Sequence, residues 1–145
     1  MRRIEHLEKI IIGTLLDSNS EHNFFDECRC CITADMFSDI VRSRIYSIVS
    51  DMNMKGIPET DPNTILEHYG EKVLDILPTM LDLVTDYSFV YLKTEYNEKV
   101  FRISFVNGVK PHYTDVTFTD YVNQFLKLYE NEKGTNPTGA KIAAA

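Results

Sequence analysis

The apolar residues of this chain recur at the spacing of an α-helix through most of its length. In residues 4–17 they fall three or four positions apart, which lines one face of a helix with a 3.6-residue period. The residues that define this face are Ile4, Leu7, Ile11 and Leu15. Additional apolar positions widen the face, so we expect this first helix to be central and buried. Gly13 lies in its middle at a cost of roughly 1 kcal/mol relative to alanine, which predicts the close approach of another backbone segment.

Two further helices are predicted after a polar break. A short helix is expected at residues 24–30 and a longer one at residues 35–55, where an apolar stripe alternates with charged and hydroxyl side chains. Gly56, followed two residues later by Pro58, forms the usual signal for the end of a helix.

Cap residues delimit the next helices as well. Asp61 is a favourable N-cap residue and Pro62 suits the first helical position, which together predict a brief helix that Gly70 ends. Residues 71–86 are predicted to continue as a helix, in which Pro78 should produce a kink or a new start.

Residues 89–106 allow two interpretations. Their apolar residues keep helical spacing, but residues 101–105 also alternate between apolar and polar, and Asn107–Gly108 is a favoured hairpin turn. We prefer a helix because the stretch is long and because Asn-Gly also ends helices. A β-hairpin within residues 100–116 stays open as the alternative.

The final helix is predicted to begin at Thr117, whose spacing to Asp120 resembles a capping box, and to extend to residue 132. Residues 134–145 have no apolar periodicity and are predicted to be disordered. The fold is therefore predicted to be all-α. It would form one domain at residues 1–133, with a compact multi-helix head at 4–86 and a C-terminal antiparallel helical hairpin at 89–132.

The charge of the chain argues against strong binding to nucleic acids. It contains 15 Lys and Arg against 22 Asp and Glu, which gives a net charge of −7, and the basic residues are scattered. A domain that holds nucleic acid by its phosphates normally presents a basic face. We therefore expect no strong direct nucleic-acid binding by this chain alone.

The apolar segments and the cysteines indicate a cytoplasmic protein. Charged residues interrupt the apolar N-terminal segment, and no segment approaches the roughly 20 apolar residues of a membrane span. The three cysteines, Cys28, Cys30 and Cys31, are an odd and crowded set, unlike a secreted disulfide framework. We expect no membrane association, a cytoplasmic location and reduced thiols.

The sequence carries no recognisable catalytic motif. Neither the phosphate-binding pattern GxxxxGK[ST] nor the dinucleotide-binding pattern GxGxxG occurs. The cysteines and His22 could be imagined as zinc ligands, but a second ligand pair at the required spacing is missing. We therefore expect a non-enzymatic protein with no catalytic residues, no cofactor and no metal.

Large aromatic residues are enriched in the last two predicted helices. At helical spacing they cannot all point into one seam, and exposed aromatics are over-represented in protein interfaces. The candidate protein-binding residues are Tyr96, Phe101, Tyr121, Phe125 and Tyr129. We expect self-association through this hairpin, most simply as a homodimer.

Several motifs resemble the N-terminal domain of DnaB-type replicative DNA helicases. The run EKIIIGTLL, which begins at Glu8 and contains Gly13, resembles the opening helix of that family. The next segment of that family has counterparts here in Met36-Phe37, Arg42, Ile45-Tyr46 and Gly56-Ile57-Pro58. Residues 61–66 resemble the opening of the family's next helix. The resemblance covers about residues 4–86. The helicase-binding domain of bacterial primases shares this topology and is an equally good relative.

This resemblance implies an all-helical head, followed by a hairpin that pairs subunits, in a domain that docks replication proteins. We therefore expect a protein–protein interaction and assembly domain that acts in DNA replication through helicase–primase or helicase–loader contacts. One alternative is a small helical DNA-binding regulator of a plasmid or phage, which would use Arg42 and Arg44. A second alternative is a small enzyme that gathers His68 or His112 with a carboxylate.

Overall fold

The structure, a computed structural model, describes residues 2–19, 21–89 and 117–135. Within these ranges the secondary structure is helical and contains no strand, which confirms the predicted all-α fold there. The α-helices are α1 (Arg3–Leu15), α2 (Phe25–Cys28), α3 (Ile40–Met54), α4 (Pro62–Tyr69), α5 (Leu77–Tyr87) and α6 (Phe118–Thr135), and 3₁₀ turns cover Ala34–Met36 and Gly70–Val73. The predicted helix from 89 onward, the alternative hairpin at 100–116 and the tail from 136 onward lie outside the described residues.

Helix α1 is the centre of the fold, as its wide apolar face predicted. Its side chains at Leu7, Ile11 and Leu15 are fully buried, and the helix contacts α3, α5 and α6. At Gly13 the helix crosses α5 so closely that a Cβ atom would lie inside the contact distance of the Leu83 carbonyl oxygen. The predicted close backbone approach at Gly13 is confirmed.

Helix α3 begins later than the sequence pattern predicted. The Asp39 carboxylate accepts a hydrogen bond from the Arg42 amide (3.0 Å), so this N-cap places the helix start at Ile40 rather than at residue 35. The chain before Asp39 runs in extended backbone at Phe37, which points its ring into the core. Gly56, with a φ of 80°, ends the helical segment as predicted.

The turns around α4 and α5 follow their cap residues. Asp61 accepts from the Thr64 amide (3.1 Å) at the start of α4, and Gly70 leaves the helix with a φ of 60°. The helix predicted to run from residue 71 is wrong in its first part, because the 3₁₀ turn Gly70–Val73 and a further turn at residues 74–76 come before α5. Pro78 restarts the chain as α5, where its missing amide leaves no hydrogen bond unmade.

Helix α6 closes the core from the other side. Its first turn has the predicted capping arrangement, in which the Thr117 amide donates to the Asp120 carboxylate (2.7 Å). Phe118, Val122 and Phe125 form its buried face. The helix continues past its predicted end at residue 132 to Thr135.

Candidate interaction surfaces

The structure separates the five aromatic residues proposed for protein binding. Tyr96 and Phe101 lie outside the described residues. Phe125 is fully buried and packs edge-on against Phe37 at 5.4 Å between ring centroids. The expectation that Phe125 is an exposed contact residue is therefore wrong. The physical reason is that α6 turns its most apolar face onto the chain's own core. Self-association through the two C-terminal helices stays a prediction, because residues 90–116 lie outside the described residues.

Tyr121 and Tyr129 reach the surface of α6 while remaining half-buried. The ring of Tyr121 lies 5.9 Å from that of Phe89, and burial raises the pKa of its phenol. The ring of Tyr129 lies 6.2 Å from that of Phe125. Of the five residues, Tyr121 and Tyr129 are therefore the described candidates for an external contact on α6, and their binding role stays a prediction.

A buried carboxylate joins α1 to α3. Glu8 is 0% exposed, and one of its oxygens accepts from the Ser38 amide (3.0 Å) and from Arg42 Nε (3.1 Å). Its other oxygen accepts from the Ser38 hydroxyl (2.8 Å). A buried charge is tolerated when it is paired and hydrogen-bonded in this way, and Glu8 meets both conditions. This cluster therefore acts as a clamp between the middle of α1 and the start of α3.

The arginines considered for DNA binding are both engaged within the chain. Arg42 is only 12% exposed and is paired with Glu8. Arg44 forms an ion pair with Asp75 (2.7 Å), lowering the pKa of that carboxyl group, and also donates to the Lys72 carbonyl oxygen. These contacts disfavour the DNA-binding regulator, because phosphate binding would have to compete with them. Of the histidines proposed for a dispersed site, His68 is exposed on α4, and His112 lies outside the described residues.

The cysteines occupy three different environments. Cys28 is buried, Cys30 is exposed and Cys31 is partly buried. Burial raises the pKa of the Cys28 thiol far above its ordinary value, and burial followed by the neighbouring Cys30 raises that of Cys31. Both thiols are therefore protonated at neutral pH and are poor nucleophiles. In the described ranges, no three potential metal ligands come together.

A groove of about 660 Å³ runs beside α3. Its walls come from α2, from the segment at residues 32–34 and from the outer side of α3. Phe25, Ile32 and Tyr46 supply apolar walls, and Ser47, Ser50 and Met54 line the α3 side. The Tyr46 hydroxyl donates to the Ile32 carbonyl oxygen (2.7 Å), so the wall is held in place by a buried hydrogen bond.

Four large hydrophobic side chains stand in solvent on the described surface. They are Ile40 (83% exposed), Met54 (87%), Leu74 (51%) and Leu81 (49%). The helical pattern of residues 71–86 predicted that two of them, Leu74 and Leu81, point inward, and this prediction is wrong because the chain turns before α5 and presents them to solvent. The exposure of Ile40 could have been predicted from Asp39. As the N-cap of α3, Asp39 puts Ile40 at the first helical position, away from the buried stripe. Ile40 and Met54 lie at the two ends of the same helix, α3.

No helix in the described part of the chain has the length and apolar character needed to cross a membrane. A comparison of the chain with protein-family models, with curated proteins and with solved structures found no match.

Proposed function

We propose that the chain is a non-enzymatic protein–protein interaction and assembly domain of the type found at the head of replicative DNA helicases. In this proposal it acts in DNA replication, self-associates, and contacts a helicase or a primase. In this proposal the helicase-binding domain of bacterial primases is an equally good relative of the chain.

The observation that carries the proposal is where the residues of the resemblance lie in the fold. Glu8 and Arg42, which stand far apart in the two motifs, form the buried ion pair of the clamp. Gly13 lies at the crossing of α1 with α5, and Gly56 adopts the positive φ that ends the segment of α3. The motif residues are therefore the ones that join the helices of the head, which is what a shared fold would require.

The structure also offers surfaces suited to a binding role. The groove beside α3 has the size of a ligand or peptide site, and the exposed side chain of Met54 stands at its edge. Exposed apolar side chains also occur on α5 and before it, at Leu81 and Leu74. On α6, Tyr121 and Tyr129 combine apolar ring area with polar hydroxyl groups, a combination enriched at protein interfaces. We assign the replication partner to this face of α6.

The proposal is tested by binding to purified replication proteins from the organism that encodes the chain. The replicative helicase and the primase are titrated separately against labelled protein, and the dissociation constant is measured by fluorescence anisotropy. We expect one of them to bind with a dissociation constant of about 10 μM or tighter. The variant Tyr129→Ala should weaken binding about tenfold, which corresponds to the loss of one aromatic contact.

Tyr69→Ala is the matched control, because Tyr69 is also half-buried but lies on α4. It should leave the dissociation constant unchanged within a factor of about two. Absence of binding to both replication proteins at about 100 μM would contradict the proposed replication role.

A further inference from the structure

Two cysteine side chains adjoin each other in the turn that follows α2. Cys30 is exposed and Cys31 is partly buried, whereas Cys28, the last residue of α2, is buried. The Cys31 amide donates to the Cys28 carbonyl oxygen (3.1 Å), and the Cys31 thiol donates to the carbonyl oxygen of Glu27 (3.4 Å). These bonds hold Cys31 in the turn beside Cys30. We call Cys30 and Cys31 the dithiol.

We propose that the dithiol is a reversible oxidation site, at which a hydroperoxide joins the sulfur atoms of Cys30 and Cys31 in a disulfide. The Cys30 sulfur first attacks the peroxide and breaks its O–O bond, which gives a sulfenic acid and releases water or an alcohol. The Cys31 sulfur then displaces the hydroxyl group of the sulfenic acid, which leaves as water. The two thiols lose two electrons and two protons in all, and one peroxide is reduced.

The environments of the two thiols assign these roles. Cys30 is the exposed thiol, so it is the one that a dissolved oxidant reaches. Burial raises the pKa of Cys31, and Cys30 raises it further, by its charge and by a hydrogen bond between the two side chains. Cys31 is therefore a weak nucleophile toward molecules in solution. Its attack on Cys30 is intramolecular, however, and proximity accelerates such a step by orders of magnitude.

Cys28 is the rival partner for Cys31, because the two residues have the C-x-x-C spacing of redox-active cysteine pairs. Cys28 belongs to the core, where it is 0% exposed, and burial raises the pKa of its thiol far above the ordinary value. An oxidant in solution therefore reaches Cys30 first. The thiol next to Cys30 along the chain is Cys31, so we assign the disulfide to the adjacent pair.

A disulfide between adjacent residues is strained and therefore easily reversed. Neighbouring Cα atoms are about 3.8 Å apart across a trans peptide bond, whereas Cα atoms joined by a disulfide are usually about 4.4–6.8 Å apart. Strain of this kind makes a disulfide more reducible, and strained or exposed disulfides are the labile and regulatory ones. We expect a monothiol such as glutathione to restore the dithiol.

The dithiol adjoins the groove beside α3. Arg29 and Ile32, which precede and follow the dithiol, both line this groove. The Ile32 amide donates to the Cys28 carbonyl oxygen (2.9 Å), and the Ile32 carbonyl oxygen accepts from the Tyr46 hydroxyl (2.7 Å). Closing a ring between residues 30 and 31 changes the backbone torsion angles of the turn, so Ile32 shifts in the groove wall. Oxidation of the dithiol is independent of the replication role, because the replication partner is assigned to α6.

The first experiment identifies the disulfide by mass spectrometry. The reduced full chain is treated with equimolar hydrogen peroxide, free thiols are blocked with iodoacetamide, and the protein is digested with trypsin. Trypsin cleaves after arginine, so Cys28 falls in the peptide that ends at Arg29, and the dithiol falls in the peptide of residues 30–42. We expect the 30–42 peptide to carry no iodoacetamide and to be lighter than its reduced form by two hydrogen atoms. Incubation with glutathione before blocking should restore the two thiols.

Serine variants test the two roles. Cys30→Ser removes the exposed thiol and should slow the oxidation of the chain by about tenfold or more. Cys31→Ser removes the resolving thiol, so Cys30 should stop at the sulfenic acid, which dimedone captures. The control is Cys28→Ala, which should leave the rate of oxidation unchanged within a factor of about two because Cys28 takes no part. Circular dichroism checks that each variant folds.

A third experiment tests the proximity of the two thiols without an oxidant. The trivalent arsenic of phenylarsine oxide forms bonds to two neighbouring thiol sulfurs and releases water. We expect one arsenical per chain, retained against an excess of monothiol, and no retention in Cys30→Ser or Cys31→Ser. NMR spectra should also show that oxidation shifts the signals of Ile32 and Tyr46, and that Cys30→Ser abolishes this shift.

Three results would overturn the oxidation site. They are a disulfide that links the peptide of Cys28 to the 30–42 peptide, oxidation of Cys30 to a sulfinic acid while Cys31 stays a thiol, and a disulfide-linked dimer as the main product in dilute protein. Unchanged signals of Ile32 and Tyr46 after oxidation would overturn the effect on the groove. None of these measurements involves a replication protein, so their failure is distinct from failure of the replication role.

Discussion

Replacing Gly13 by alanine would place a methyl group where α1 and α5 cross. The Cβ atom would fall inside the contact distance of the Leu83 carbonyl oxygen and at 3.1 Å from the carbonyl carbons of Leu83 and Tyr87. All three atoms belong to the backbone of α5, so no side chain can rotate away. The two helices would have to move apart. This movement would also weaken the apolar contacts that the helices make on either side of the crossing.

Two effects of opposite sign set the size of the change. Alanine favours the helical backbone by about 1 kcal/mol relative to glycine. Overpacking in a close-packed core costs about 1–3 kcal/mol, and the upper end applies here because the obstacle is a rigid backbone. We therefore expect Gly13→Ala to lower the free energy of unfolding by about 2 kcal/mol.

The measurement is urea unfolding followed by circular dichroism, with the slope of the transition compared between variants. The pair Asn123→Gly and Asn123→Ala, at an exposed position of α6, measures the intrinsic preference of this chain for alanine in a helix. At that position alanine should be the more stable by about 1 kcal/mol. If Gly13→Ala is as stable as the unmodified protein or more stable, the close crossing of α1 and α5 is refuted.

Three further variants or conditions test the core, the clamp and one histidine. Phe125→Ala should destabilise the fold by about 3–5 kcal/mol because it empties a fully buried site, and a urea midpoint close to that of the unmodified protein would show that Phe125 is not in the core. Arg42→Ala leaves the buried Glu8 without its cation and should cost about 3–5 kcal/mol, whereas Arg44→Ala, at an exposed ion pair, should cost at most about 1 kcal/mol; equal losses would argue against the clamp. Burial is the main cause that lowers the pKa of His6, and the nearby cations lower it further. The unfolded state therefore binds the proton more readily than the folded state, so the free energy of unfolding should fall as the pH drops below about 6.5. An NMR titration that places the pKa of His6 at or above its ordinary value would contradict this pH dependence.

The local signals in the sequence determined most of the helix boundaries in the described ranges. Asp61, Gly56 and Gly70 act at the positions predicted, because a cap or a positive φ depends on the residue itself and on its immediate neighbours. The helical periodicity of residues 4–17 also predicted the central place of α1, since a helix that is apolar almost all round has to be covered on every side. The start of α3 was missed because the apolar stripe continues before Asp39, and only the cap distinguishes the helix from the turn that precedes it.

The burial of particular side chains depended on which elements pack together, and periodicity contains no information about partners. Phe125 has the same helical spacing as Tyr121 and Tyr129, yet it alone is fully enclosed, because Phe37 enters the core from a distant segment. Glu8 carries a charge on the first helix and reads as a surface residue until Ser38 and Arg42 are brought to it. In the same way, Ile40 and Met54 are apolar residues at helix ends, and only the absence of a neighbouring element over α3 in the described structure leaves them in solvent. The sequence determined where the helices form, and tertiary packing decided which of their faces remain free to bind.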